Sequence, residues 1–139
     1  MFVLKFIKQA YSIFMKELTK AEEQIMQILW NLNKGFVNDI VDQMPEPKPA
    51  YNTVSTIIRI LETKGIVDHK AFGKTHEYFP LVSKDEYTKS FMNGFIKNYF
   101  SDSYKNMVSF FSKNQNLSTQ EVEEIIELLQ NQLKDQKEK

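Results

Sequence analysis

With 139 residues, 42% of them hydrophobic and 13% aromatic, the chain has enough apolar side chains for one domain, or for a small domain with an appended assembly element. Cysteine is absent, which excludes disulfides, thiolate metal centres and cysteine nucleophiles and fits a reducing compartment, with the cytoplasm as the default. Eighteen basic residues balance eighteen acidic ones, so net charge neither calls for nor excludes a nucleic-acid partner, and only a local patch can decide.

The opening MFVLKFIKQAYSIF is apolar and weakly basic. Lys5 and Lys8 interrupt it, no small-residue cleavage site follows, and a spanning helix needs roughly 20 mostly apolar residues, so neither a signal peptide nor membrane insertion is expected. Residues 1–15 are expected to be an extension: an extra packing or interfacial helix, or sequence upstream of a start at Met15, where MKELTKAEEQ reads as a domain opening.

Helix starts are then signalled by capping boxes at Thr19/Glu22, Ser83/Glu86 and Ser118/Glu121, where a hydroxyl and a carboxylate three residues apart can satisfy orphan amides. Ala21, Ile25, Ile28, Leu29 and Leu32 predict a first helix, ended near Asn33-Lys34-Gly35 with Gly35 as the left-handed cap. Val37, Ile40, Val41 and Met44 predict a short second helix, stopped by the donor-poor PEPKP of residues 45–49. In KPAYNTVSTIIRILETKG, residues 48–65, Val54, Ile57, Ile58 and Leu61 form the stripe to be buried, and Gly65 is the stop. At 100° per residue the opposite side carries Asn52, Thr56, Arg59 and Thr63, with Thr53 and Ser55 on its flanks. IVDHKAF and THEYFPL are β-prone runs separated by a tight Gly73-Lys74 turn and predict a hairpin. The chain is therefore expected to be mainly α with a small β-hairpin wing: three short helices and then a hairpin, the order of a winged helix-turn-helix over residues 16–82.

The third helix is unusual on its outer side. A helix that enters the major groove needs short polar side chains so that its backbone approaches base edges, an Arg that reaches guanine or phosphate, and no carboxylate against the duplex. Asn52, Thr53, Ser55, Thr56 and Arg59 meet that requirement, with Thr63 beyond them and Lys70 and Lys74 on the hairpin. Between Lys48 and His76 there are five Lys/Arg against two Asp/Glu, a modest basic footprint in a neutral chain. The competing reading of the helix is a solvated, Ser/Thr-rich surface, and a winged helix used only for protein contacts is a further alternative. The two histidines, His69 and His76, fall in the hairpin, where Asp68 and Glu77 offer carboxylates for a metal or acid-base site. An exposed wing lacks the enclosing pocket that catalysis requires, so no enzyme, metal or cofactor is expected, and solvation or a place near phosphates is favoured for these residues.

After the hairpin, Tyr87, Phe91, Phe95 and Tyr99 step along one helical face, Tyr104, Met107, Val108 and Phe111 along another, and Val122, Ile125, Ile126, Leu129 and Leu133 along a third. Three short helices have too little sequence to cover these stripes alone, so residues 83–139 are expected to be a helical dimerisation arm, using Phe91, Phe95, Tyr99, Met107, Phe111, Ile125 and Leu129. The alternative is that they fold back onto the winged helix as one core.

The runs LTKAEEQIMQILW, AYNTVSTIIRILETKGIVDHK and HEYFPLVSKDEY together resemble the penicillinase repressor (BlaI/MecI) family of winged-helix transcriptional repressors, in that family's order and spacing, from Lys16 to about Leu133. The resemblance implies a homodimer on a palindromic double-stranded DNA operator, with Asn52, Thr53, Ser55, Thr56 and Arg59 at the positions that meet DNA. It also implies control of a β-lactamase or cell-wall-stress operon and relief by a membrane metallopeptidase antirepressor. Two departures bear on this. Induced members are cut in the dimerisation arm at an Asn-Phe bond, whereas the matching bond here joins Ser109 to Phe110; a constitutive regulator without that switch is the alternative. The copper-responsive branch has a cysteine-rich C-terminus, and NQLKDQKEK has none, so copper sensing is not expected.

Overall fold

The computed structural model describes residues 17–114 and 116–138, and the expected extension at residues 1–15 lies outside them. Helix α1, Lys20–Leu32, opens on the first capping box: the Thr19 hydroxyl accepts from the Glu22 amide at 3.2 Å and a Glu22 carboxylate oxygen accepts from the Thr19 amide at 3.1 Å. Its buried stripe is Glu22, Ile25, Met26 and Leu29, and Ala21 faces out. The residue with left-handed φ at its end is Asn33 (φ 69), not Gly35. An asparagine tolerates that conformation because its short amide adds little steric cost there. Gly35 serves instead as a strand-like residue, its backbone exchanging two hydrogen bonds with Tyr78 at 2.9 and 2.8 Å.

Helix α2, Val37–Asp42, starts with the Phe36 amide donating to Asp39 Oδ2 at 2.9 Å and buries Val37 and Ile40. Helix α3, Tyr51–Thr63, buries Val54, Ile58 and Leu61 completely, with Ile57 packed partly against the same core. Gly65, at φ 79, then turns the chain into strand β1, Val67–Phe72. Strand β2, Thr75–Pro80, pairs antiparallel with β1 in a register that sets Phe72 opposite Thr75 and leaves Gly73 and Lys74 as the loop. Gly73 has φ 64, the positive value that a two-residue hairpin loop led by glycine requires. Helices α1 to α3 with this hairpin are a winged helix, and their apolar faces meet in one core together with Leu18, Ile66 and Val67.

Helix α4, Lys84–Phe100, starts at the Ser83 hydroxyl, which accepts from the Glu86 amide at 3.0 Å. Its first turns belong to the winged-helix core: Tyr87 is buried, its hydroxyl accepts from the Leu18 amide at 3.2 Å, and its ring lies 5.7 Å from that of Trp30. Trp30 in turn donates to the Val82 carbonyl at 2.9 Å. Packing divides the chain between Gly94 and Phe95, so residues 84–94 pack with the first unit although the arm was expected to begin at 83.

The second unit, from Phe95 onward, contains the end of α4, helix α5, Tyr104–Asn114, and helix α6, Thr119–Lys137. Ser101 and Asp102, both with positive φ, turn α4 into α5, and the Asp102 amide donates to the Ile96 carbonyl at 3.1 Å. Phe95, Phe100 and Phe110 form a run of edge contacts with centroids 5.6 and 5.7 Å apart. Ser118 caps α6 by accepting from the Glu121 amide at 3.1 Å. Among the described residues no helix is long and apolar enough to cross a membrane.

Candidate nucleic-acid interface

The polar face of α3 stands clear of the core. Asn52, Thr53, Thr56, Arg59 and Thr63 are exposed, and Ser55 is half-buried at the edge of the stripe. Two of its hydroxyls are already committed as donors: Thr56 donates to the Asn52 carbonyl at 2.8 Å and Thr63 to the Arg59 carbonyl at 3.0 Å. Each oxygen keeps its lone pairs, so in this arrangement these threonines offer acceptors and methyl surface. Arg59 donates through Nε to the Ser55 carbonyl at 3.3 Å, a bond that does not use the terminal nitrogens of its guanidinium.

The wing completes the surface. A groove of about 520 Å³ separates α3 from the hairpin, with Tyr51, Ser55 and Arg59 on one wall, Lys74, Thr75 and His76 on the other, and Asn38 of α2 at its end. Apart from Phe36 and Val37 its lining is polar, and the one carboxylate, that of Asp39, is engaged by the Phe36 amide. Tyr78 forms the floor; burial raises its hydroxyl pKa, so it stays neutral. Lys74 is in the loop at the tip, and Lys70 lies exposed on β1 with its ammonium 5.4 Å from the Phe72 ring centre. Of the residues singled out from the sequence, Ser55, Arg59 and Lys74 thus line one groove, whereas Lys70 pairs with Glu77 on the hairpin face opposite His69 and His76. Tyr51, Asn38 and Thr75 were not singled out; Tyr51 directly precedes Asn52, but Asn38 and Thr75 join only through the fold.

The end of α3 and the start of β1 meet in a small cluster. His69 Nδ1 is hydrogen-bonded to Glu62 Oε2, and Asp68 Oδ1 accepts from the His69 amide at 2.8 Å. One donor atom from each of Glu62, Asp68 and His69 lies within 4.8 Å of the others, a spacing that could hold a metal ion. His76 stacks on His69 with ring centres 4.0 Å apart and planes 8° from parallel. Glu77, the other carboxylate considered from the sequence, is in register with Lys70 and so falls on the other face of the hairpin.

The sequence matches the penicillinase repressor family over residues 18–131. The chain belongs to that family. It is similar to the methicillin resistance regulatory protein MecI of Staphylococcus aureus strain N315, 27% identical over 81% of this chain and 93% of that one. It is also similar to the penicillinase repressor of Bacillus licheniformis, 22% identical over 82% of this chain and 90% of that one. A similar solved structure is the DNA-binding domain of the repressor BlaI, with a TM-score of 0.45 and 21% identity over 51% of this chain and 88% of that one. As a member of the penicillinase repressor family, the protein is a DNA-binding transcriptional repressor of the BlaI/MecI type and not an enzyme.

The expected dimerisation residues of this repressor are largely in the open in the single chain. Phe91, Tyr99, Phe111, Ile125 and Leu129 are exposed, while Phe95 and Met107 are half-buried. Phe91 packs beside Tyr87 at 6.3 Å in the first unit, and Phe95 beside Tyr99 at 5.2 Å in the second. In α6 no described residue is buried, so Val122, Ile125, Ile126, Leu129 and Leu133 form an apolar stripe open to solvent. The candidate cleavage bond, Ser109 to Phe110, lies in the middle of α5, where the Ser109 carbonyl accepts from Ser112 Oγ and the Phe110 carbonyl from Asn114 Nδ2, each at 2.9 Å.

Proposed function

We propose that this repressor binds a palindromic operator in the cytoplasm as a homodimer. Asn52, Thr53, Ser55, Thr56 and Arg59 face the bases, and Thr63, Lys70 and Lys74 face the backbone. The observation that carries this reading is the face of α3: exposed, short-chained, free of carboxylate from Asn52 to Arg59, and across a groove from Lys74 at the tip of the wing. The second half of the proposal rests on the α6 stripe, which a second copy would cover. Duplexes selected from a random pool by the full chain should converge on an inverted repeat, with affinity falling as salt rises. Arg59→Ala should cost about 1–3 kcal/mol of that affinity, the worth of one good bidentate base contact. Thr56→Glu should cost more, by setting a carboxylate against the duplex. Equal binding by both variants and the parent at matched salt would remove this face from the interface.

The operon controlled is proposed to be of the β-lactamase or cell-wall-stress type, relieved when a membrane metallopeptidase antirepressor cuts between Ser109 and Phe110. A second reading, repression without that switch, is favoured by the place of the bond inside α5, since a protease binds extended chain and this turn must first unwind. Intact-mass analysis of the repressor before and after derepression in cells separates the two: a fragment ending at Ser109 supports cutting, and full-length protein throughout supports the second reading.

A further inference from the structure

We propose that Glu62, Asp68 and His69 form a binding site for a divalent transition-metal ion, and that the bound ion strengthens the hold of the repressor on DNA. The donor set is one imidazole nitrogen and two carboxylates, which suits zinc and its first-row neighbours, with water to complete the shell. The donors come from two elements, Glu62 from the last turn of α3 and Asp68 and His69 from β1. Their atoms lie within 4.8 Å of one another, so an ion would open the contact between His69 Nδ1 and Glu62 Oε2 and draw the three donors in around it. Asp68 holds the His69 amide through Oδ1 and keeps its other oxygen for the ion. His76 lies flat against the His69 ring and fixes its plane. The sequence alone pairs these histidines with Asp68 and Glu77; in the structure the helix supplies Glu62, and Glu77 is not among the clustered donors.

The charge pattern gives the site its consequence, which rests on the proposed DNA face, whereas ion binding itself does not. From Lys48 to His76 there are two acidic residues, and they are Glu62 and Asp68. Without an ion, two carboxylates stand beside a surface meant for phosphates, with Glu62 one turn from Arg59. A divalent cation cancels both charges and ties α3 to the wing, so the metal acts as a corepressor.

Zinc titrated into the full chain, followed by calorimetry with circular dichroism as the check on folding, tests the site. The parent should take up one ion per chain. Glu62→Gln and Asp68→Asn should each weaken uptake about ten- to a hundredfold, and Glu77→Gln should leave it unchanged. Absence of saturable uptake, or uptake that folded Glu62→Gln shares with the parent, overturns the proposal. In duplex titrations, zinc should tighten binding by the parent and not by Glu62→Gln, which without zinc should already bind more tightly than the parent. Zinc that leaves duplex affinity unchanged overturns the corepressor role, whereas a chain that takes up zinc and binds no duplex overturns the DNA-face reading and leaves the ion site standing.

Discussion

Glu22 is a buried carboxylate, 3% exposed, and two partners hold it there: the Thr19 cap and the Lys64 ammonium, whose Nζ lies 2.7 and 2.8 Å from its oxygens. Burial by itself would raise the Glu22 pKa, but the Lys64 ammonium and the Thr19 amide and hydroxyl outweigh it and hold the group below its ordinary 4.5. A carboxylate whose folded pKa is lowered contributes stability in full above its unfolded value and loses it as pH falls through the folded one. Glu22→Gln should therefore cost about 1–3 kcal/mol in urea unfolding at pH 7, and the difference from the parent should shrink below about pH 4.5. A difference that persists undiminished into acid would show that Glu22 acts by shape and not by charge. The capping role was legible in the sequence because Thr19 and Glu22 are three residues apart. The Lys64 contact was not, since 42 residues separate the partners and only the crossing of α1 and α3 joins them.

Helix α6 carries 19 residues and a stripe at positions 122, 125, 126, 129 and 133, yet none of the described residues in it is buried. Its Ser118 cap and acidic first turn favour the helix, but a lone helix of this length is only marginally stable in water, so the stripe needs cover. Leu129→Asp should shift the full chain toward monomer in sedimentation velocity while leaving the first unit folded, whereas Gln130→Asp, one residue round the helix, should have little effect. If Leu129→Asp sediments as the parent does, the stripe is not the dimer seam.

Across the chain, what was legible from sequence was local. Val54, Ile58 and Leu61 repeat at helical spacing, so the buried side of α3 and its polar opposite follow from one another, and Gly73-Lys74 between β-prone runs marks the wing. What was not legible depended on contacts made at a distance: Gly35 pairing with Tyr78, Glu62 joining His69, and Tyr87 closing the core over Leu18. The last of these moves the useful cut site. Ending the chain after Leu81 would remove Val82 and Tyr87 from the core, with the hydrogen bonds to Trp30 and the Leu18 amide. A chain ending at Gly94 keeps them and should fold as a monomer, whereas one ending at Leu81 should be several kcal/mol less stable by the loss of a buried aromatic side chain. Thermal melts of the two fragments compare them directly.

The pairing of Gly35 with Tyr78 makes the wing a ruler. Its base is pinned by two backbone hydrogen bonds to the corner between α1 and α2, so free length begins only beyond Tyr78 and runs roughly 13 Å to Lys74 at about 3.3 Å per residue. The distance from Arg59 to the phosphate that Lys74 is proposed to touch is then set by residue count. Lengthening β1 and β2 by two residues each preserves which side chains share a face and carries Lys74 outward by about 7 Å, the axial span of about two phosphates on one strand. On the selected duplex, the outer edge of the hydroxyl-radical footprint should move by about two nucleotides while the bases protected by α3 stay where they were.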